Sequence, residues 1–372
     1  MSRLEELIEQ YCPDGVEWKV LGEATIMKRG TSATRGIMKE GNIPVISGGR
    51  QPAFYCSVSN RTGEVITVAG SGAGAGYVQY WNEPIFVCDA FSIQGNETLK
   101  TKYVYYVLTS IQEKIYSTKK GGGVPHVHIS SIDKFEIPVP PLPVQEEIVR
   151  ILDTFTELQA ELQAELQKRR QQYNYYLDNL LNFNRGGQTE VKWMKMSDIA
   201  KLSRGHVISK DYLQNNAGIY PVYSSQTANN GELGQINTYD YNGNYLTWTT
   251  DGAYAGTIFK REGCFSITNV CGLIALTSEL VNLDYLYYWL KITAPSYVYK
   301  GMGNPKLMSN VMESILIPII PLSEQQRIVS ILDRFDSLTN DLTEGLPAEI
   351  EKRRQQYEYY RDKLLTFKRK GA

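Results

Sequence analysis

A chain that contains its own copy is limited to architectures that use one unit twice, and this 372-residue sequence is such a chain. Residues 141–155 read PLPVQEEIVRILDTF and residues 321–335 read PLSEQQRIVSILDRF, 180 positions later. KRRQQYNYYLDNLLNF (168–183) returns as KRRQQYEYYRDKLLTF (352–367), at an offset of 184. The echo is fainter upstream but continuous. VEWKVLGE (16–23) matches VKWMKMSD (191–198), and GEVITVAGSGAGAGYV (63–78) matches GNYLTWTTDGAYAGTI (243–258).

Each copy has a globular part and a helical part. The globular parts, 15–139 and 190–319, carry short β-rich runs such as VITVA, YVQYW, NYLTWTT and TIFK between Gly, Asn and Pro clusters. One amphipathic stretch per copy, 103–115 and 283–292, predicts a helix. After a proline stop the first copy keeps apolar residues at spacings of three, four and seven from Ile148 to Leu181, a stripe that seeks a partner helix. A helix over 143–184 would be roughly 60 Å long, and its natural partner is its own second copy at 324–367. Gly345-Leu346-Pro347 should kink or split that copy. Arg3–Ile8 resembles Tyr176–Leu181, so the repeat is cyclic and a pseudo-two-fold arrangement is its closed form. The fold class expected is α+β, divided at 1–139, 140–185, 186–319 and 320–372.

The 39 Lys and Arg nearly cancel the 40 Asp and Glu, so no global basic field announces a nucleic-acid partner and local patches must serve. Residues 24–139 hold 12 basic against 8 acidic side chains, and 140–190 hold 5 against 8. Five cysteines form no CxxC pair, which predicts reduced thiols. The opening MSRLEELIEQ is charged throughout, and the most apolar run, 315–322, is broken by two prolines. A cytoplasmic chain with no membrane span is expected.

Small and basic residues cluster in loops at matching places in the two copies. Ser47–Gln51 aligns with Ser224–Thr227, and Lys119–Gly123 with Tyr299–Gly303. Such residues, on loops that let the backbone come close, suit base-edge and phosphate contacts. The candidate DNA contacts are Arg50, Gln51, Lys119 and Lys120 in the first copy, and Gln226, Thr227, Lys300 and Asn304 in the second. The loops differ between copies while the helices agree, as two readers of two targets on a shared frame would.

Other motifs read as structural. Gly72–Gly76 imitates a dinucleotide loop but leads into a strand, and its counterpart 252–256 keeps only the outer glycines, so a turn is expected. Asp14, Glu17 and Lys19 imitate a nuclease triad without the spacing to reach neighbouring strands. His126 and His128 have no third ligand nearby, and Lys306 and Met308 replace them in the second copy. No catalytic or metal site is expected. The residues alone leave open a self-sufficient DNA enzyme or a carbohydrate-binding repeat.

At the proline-bounded helices the sequence resembles the specificity (S) subunits of type I restriction-modification systems. PLPVQEEIVRILDTF and PLSEQQRIVSILDRF, each followed by KRRQQYxYYxDxLLxF, are similar to that family's conserved regions, and CPDGVEWKVLGE to its N-termini. The resemblance implies two target-recognition domains, each reading half of a split DNA site, separated by two antiparallel, coiled-coil-like helices acting as a spacer. It implies docking of two modification (M) subunits, with restriction (R) subunits joining in the full complex. S-adenosylmethionine, Mg and ATP would be held by those partners, none by this chain. At the helix and M-subunit interface it implies Gln145, Ile148, Ile151, Leu152, Phe155 and Tyr173, with Gln325, Ile328, Ile331, Leu332, Phe335 and Tyr357 in the second copy.

Overall fold

The computed structural model describes residues 3–33, 40–183, 191–301, 303–341 and 343–371. The chain forms two compact units, Met1–Ala164 with Ala348–Ala372, and Glu165–Pro347. Each combines one globular domain with stretches of both helical regions. The principal helices are α1 (Arg3–Tyr11), α2 (Thr101–Ser110), α3 (Leu142–Leu180), α4 (Leu283–Thr293), α5 (Leu322–Asn340) and α6 (Leu346–Leu364).

The two globular domains share their main sheet. In the first unit the strand order is Ile26–Arg29, Ala90–Gln94, Val65–Ala69, Val78–Trp81, antiparallel throughout. The second unit repeats it with Ala200–Arg204, Cys271–Leu276, Tyr245–Thr249 and Ile258–Arg261. Val65–Ala69 is buried at every position because it is central and covered on both faces, which is why VITVA shows no polar alternation. A second sheet differs between the domains. It has three strands in the first (Phe54–Cys56, Ile43–Ile46, Phe86–Val87) and four in the second (Glu232–Ile236, Ala217–Tyr223, Cys264–Ile267, Tyr241–Asn242). The first and last strands of each domain pair in a two-stranded ribbon, Trp18 opposite Pro138 and Trp193 opposite Pro318. Each domain is thereby closed where the chain enters and leaves it.

Each domain is fastened to the helix that follows it by the same polar contacts. The Gln145 side chain is fully buried; it donates to the carbonyls of Thr98 (2.9 Å) and Pro140 (2.7 Å) and accepts from Lys100 N (2.9 Å), just before α2. Gln325 repeats this with the carbonyls of Leu280 and Ile320 (2.8 Å each) and with Asn282 N (2.8 Å), just before α4. One helical turn pair later, Asp153 accepts from Tyr106 Oη (2.5 Å) and pairs with Lys102 (2.8 Å). Asp333 accepts from Tyr288 Oη (2.6 Å) in the same way. Tyr103 and Tyr285, both buried, donate to the carbonyls of Pro138 and Pro318. Much of the tyrosine content of α2 and α4 is therefore core with a satisfied hydroxyl.

Ile148 and Leu152 lie in the first unit's core and Ile328 and Leu332 in the second's, all at most 2% exposed. Phe155 stacks on Tyr360 (5.5 Å between centroids) and tilts on Tyr357 (6.5 Å) within the first unit. Tyr176 stacks on Phe335 (5.1 Å) within the second. The expected break in the second copy falls between Asn340 and Leu346. Pro347 then occupies the second residue of α6, in the first turn, where its missing N–H has no intrahelical partner to lose. The predicted helix over 143–184 is observed as Leu142–Leu180, and residue 184 lies outside the described residues.

The cyclic order of the repeat becomes a physical closure in the first unit. Val16 N donates to Lys368 O and Lys370 N donates to Val16 O, each at 2.9 Å. Arg369 forks onto Glu136 (2.7 and 3.2 Å) and lies over the Trp18 ring at 5.3 Å. Leu365 joins that unit's core, whereas Tyr173 and Leu177 of α3, and Leu181 just after it, serve the second unit's.

Because each glutamine is fully buried and makes three hydrogen bonds, Gln145→Ala should lose about 2–3 kcal/mol of stability, with Gln325→Ala matching it in the other unit. Urea unfolding should show lower midpoints at unchanged slope; a loss under about 0.5 kcal/mol would reduce these contacts to ordinary surface bonds.

Candidate nucleic-acid interface

The Gly72–Gly76 segment is a turn, and its glycine pattern has a geometric cause. Gly72 and Gly76 have φ of 78° and 81°, and their counterparts Gly252 and Gly256 have 98° and 85°. These are the two glycines both copies keep, since only they occupy the left-handed region that side chains resist. At the middle position the second copy carries Tyr254, 64% exposed, where the first has Gly74.

This turn is where the candidate contact loops meet. In the first domain Gly72 N donates to Pro125 O and Val127 N to Gly70 O, both at 3.0 Å, which ties the turn to the Lys119–His128 segment. On its other side the turn abuts Gly48, with no room for a Cβ at Gly74 against the Gly48 carbonyl. Arg50 and Gln51 therefore come to the same place as Lys119 and Lys120, although about 70 residues separate them in sequence. In the second domain Gly252 N donates to Pro305 O (3.0 Å) and Leu307 N to Thr250 O (2.9 Å). Ser225 and Thr250 hydroxyls both donate to Val270 O, which brings the Gln226–Thr227 loop to the same turn. The loops correspond between copies in sequence, and the fold also brings them together within each copy.

The cations differ in how they are held. The Arg50 guanidinium lies over Tyr77 at 4.9 Å while its carbonyl accepts from Gln79 Nε2 (2.8 Å). Lys119 lies over Tyr116 at 4.1 Å. Arg50, Gln51, Lys120, Lys300 and Asn304 are exposed. Lys120 and His126 exchange both backbone hydrogen bonds (2.9 and 2.8 Å), and Tyr299 and Lys306 do the same (2.9 and 3.1 Å), so each basic loop is a short hairpin. Gln226 is spent inside its own loop, donating to Glu232 O. Met302, beside Lys300, lies outside the described residues.

His126 and His128 stack with ring centroids 6.0 Å apart and line a cleft of about 330 Å³ with Arg29 and Asp89. Among the described residues no three His, Cys, Asp or Glu side chains gather to hold a metal ion. Glu17 and Lys19 pair with each other at 3.3 Å on the edge ribbon. All five cysteines are free. No helix among the described residues is long and apolar enough to cross a membrane.

Arg261 and the Asn229-Asn230-Gly231 turn, all three residues of which have positive φ, belong to none of the motifs described above. The 180-residue offset carried a signal, because it aligns Arg261 with Trp81.

The family model for the type I restriction modification DNA specificity domain matches the chain twice, at residues 13–169 and 188–352. The chain belongs to that family of specificity subunits. The specificity subunit of the Escherichia coli enzyme EcoR124I/EcoR124II is 31% identical over 418 aligned residues, covering 99% of this chain and 97% of that one. The MpnII specificity subunit of Mycoplasma pneumoniae is 34% identical over 305 residues, 66% of this chain and 92% of that one. Among solved structures, a type I S subunit from M. genitalium superposes with a TM-score of 0.68 at 17% identity, over 94% of this chain and 96% of that one, which supports the fold. Against this family background, the paired loops lie in the parts of the specificity subunit that differ between its two copies, and the glutamine clamps in the parts that agree.

The left-handed glycines of the turn give an internal contrast. Gly252→Ala, with open space around the added Cβ, should lose about 1 kcal/mol for backbone strain alone. Gly256→Ala should lose more, because its Cβ would also press on Val298 and on Ala294. Equal melting temperatures for the two variants would refute the packing part of this account.

Proposed function

We propose that this specificity subunit reads a split, asymmetric double-stranded DNA site, one half per globular domain, through the loop pairs that converge on the Gly72–Gly76 and Gly252–Gly256 turns. The observation that carries the reading is the contrast within the repeat. The fastening contacts of Gln145, Asp153 and Tyr103 are duplicated by Gln325, Asp333 and Tyr285, while the converging loops keep their backbone ties to the turn but carry different side chains. A frame kept twice with two different tips suits two sequence readers rather than one composite pocket.

Cationic and amide side chains on these loops supply phosphate neutralisation and base-edge hydrogen bonds. The chain is a non-catalytic member of its complex. In our reading adenine-N6 methylation belongs to two M subunits docked on the helical regions, and R subunits add ATP-driven cleavage. S-adenosylmethionine, Mg and ATP bind those partners, and the complex works in the cytoplasm. Ile148, Leu152, Ile328 and Leu332 are already spent in this chain's cores, so docking falls to exposed helical side chains such as Tyr175 and Tyr359, at equivalent repeat positions and 64% and 62% exposed.

The Glu157–Gln167 stretch repeats Glu-Leu-Gln-Ala within the unbroken α3. Four residues add about 6 Å and overshoot one full turn by roughly 40°, so a further copy extends the helix while nearly keeping its apolar face. At about 3.4 Å per base pair, inserting Glu-Leu-Gln-Ala after Ala164 should widen the unspecified gap by one to two base pairs with both half-sites unchanged. Sequencing of methylated adenines in cells carrying the insertion reads this directly, and an unchanged gap would sink the ruler.

In the same assay Lys119→Ala with Lys120→Ala should weaken methylation and relax one half-site only, and Lys300→Ala with Asn304→Ala the other. Loss of both halves from either pair would contradict one reader per domain.

A further inference from the structure

At the end of the strand Ile258–Arg261, Arg261 is 3% exposed, and its two terminal nitrogens have no hydrogen-bond partner. Its Nε donates to Thr247 Oγ1 at 3.0 Å, and the guanidinium lies over the Tyr223 ring at 3.5 Å and near Phe259 at 4.5 Å. The first domain places Trp81 at the equivalent position, where Nε1 donates to Thr67 Oγ1 at 2.9 Å. Tryptophan there fills an apolar slot with its only polar group satisfied. Arginine fills the same slot and leaves two donors over, an arrangement that costs stability and that proteins rarely keep without use.

What those donors face is the loop carrying Gln226. A Cβ at Gly231 would come within 3.0 Å of Nη2, and Gly231 follows Asn229 and Asn230, whose φ values of 49° and 52° are uncommon for residues with side chains. Gly231 O accepts from Ser224 N (3.0 Å), and Gln226 is turned back onto Glu232 O, so the loop is folded over the guanidinium. Glu232, the carboxylate on this loop, acts on the guanidinium at a distance and accepts its hydrogen bond from Gln235 (3.2 Å). Burial pulls the Arg261 guanidinium below the ordinary arginine value, against the opposing pull of Tyr223 and Glu232.

We propose that Arg261 is the positioning residue of the second recognition loop: its two free donors hold residues 224–232 in the form that reads DNA, and so decide which bases the second half-site accepts. Trp81 has no such donors, so the first domain sets its loop by other contacts, and the two halves of the target are read by differently built loops on one frame. The inference rests on the DNA-reading function proposed above. In the free protein the loop is strained and Gln226 is turned inward. On DNA the loop re-seats, Gln226 turns outward, and the Nη donors take carbonyls of the loop as acceptors.

The test uses the whole subunit expressed with its M subunits, with methylated motifs read by sequencing. Wild type against a strain lacking the chain establishes whether the chain specifies a motif at all, which tests the function separately. Arg261→Lys keeps the charge and the stem but loses the planar fork, and Arg261→Trp imports the first domain's residue. Both should leave the first half-site and the gap unchanged. Both should lower methylation at the wild-type second half-site by about tenfold or more relative to sites altered there. A purely structural role would scale methylation down at the same motif, and that result overturns the proposal. Failure of both variants to co-purify with the M subunits overturns it as well, since Arg261 would then be a core residue. The reciprocal Trp81→Arg should not move specificity in the second half.

Discussion

A buried glutamine on the first turns of a helix holds each half of this protein to its frame. An amide side chain is suited to the task because it donates twice and accepts once in a plane, and here each bond goes to backbone: two carbonyls on the chain that precedes the helix, and the N–H ahead of an amphipathic helix. Because the backbone supplies the partners, the clamp does not depend on which side chains the globular domain carries. That independence lets the domains diverge at their tips while docking identically at their bases. The nearby Asp153 and Asp333 contacts add orientation, since each requires a tyrosine hydroxyl at one rotation of the adjoining helix.

The globular domains divide the labour differently. Their main sheets and closing ribbons superimpose in order and register, so the turns with left-handed glycines recur at corresponding places. The second sheet has three strands in one domain and four in the other, and it is the layer that borders the variable loops. Near-zero net charge is compatible with this plan. Cations on the loops, such as Arg50 and Lys119, sit over aromatic rings that hold them without neutralising them, whereas those on the helices, such as Arg353 and Arg354, are consumed by neighbouring glutamates.

The repeat, the long helix, the break before Pro347 and the glycine turn were legible in the sequence because each has a local cause: a recurring word, an apolar period, a missing N–H, a positive φ. The family was legible for the same reason. The convergence of the 47–51 and 119–126 loops was not, because it comes from the crossing of strands distant in sequence, and no periodicity encodes it. Nor were the backbone partners of Gln145 and Gln325, which the family resemblance implied only as residues of a helix and M-subunit interface. Arg261 was visible only as a mismatch with Trp81, and a mismatch gains meaning once burial shows that a charge has replaced a ring. Which side chains touch bases is less legible still: Gln226, a natural reader by residue type, is bonded within its own loop.

The backbone pairing of residue 16 with residues 368 and 370 has a consequence for biogenesis. The unit spanning Glu165–Pro347 is complete once its own residues have been made, but the other unit needs Ala348–Ala372 before Trp18 is covered and Glu136 is paired. At roughly 5–20 residues per second, the first domain waits about 10 to 40 seconds after its own synthesis for its closing segment. During that interval the apolar surface later met by Tyr357, Leu364 and Phe367 stands open, so a nascent chain stalled after the second domain would expose it to chaperones and proteases. A chain released short of its last two dozen residues would therefore fail at its beginning rather than at its end.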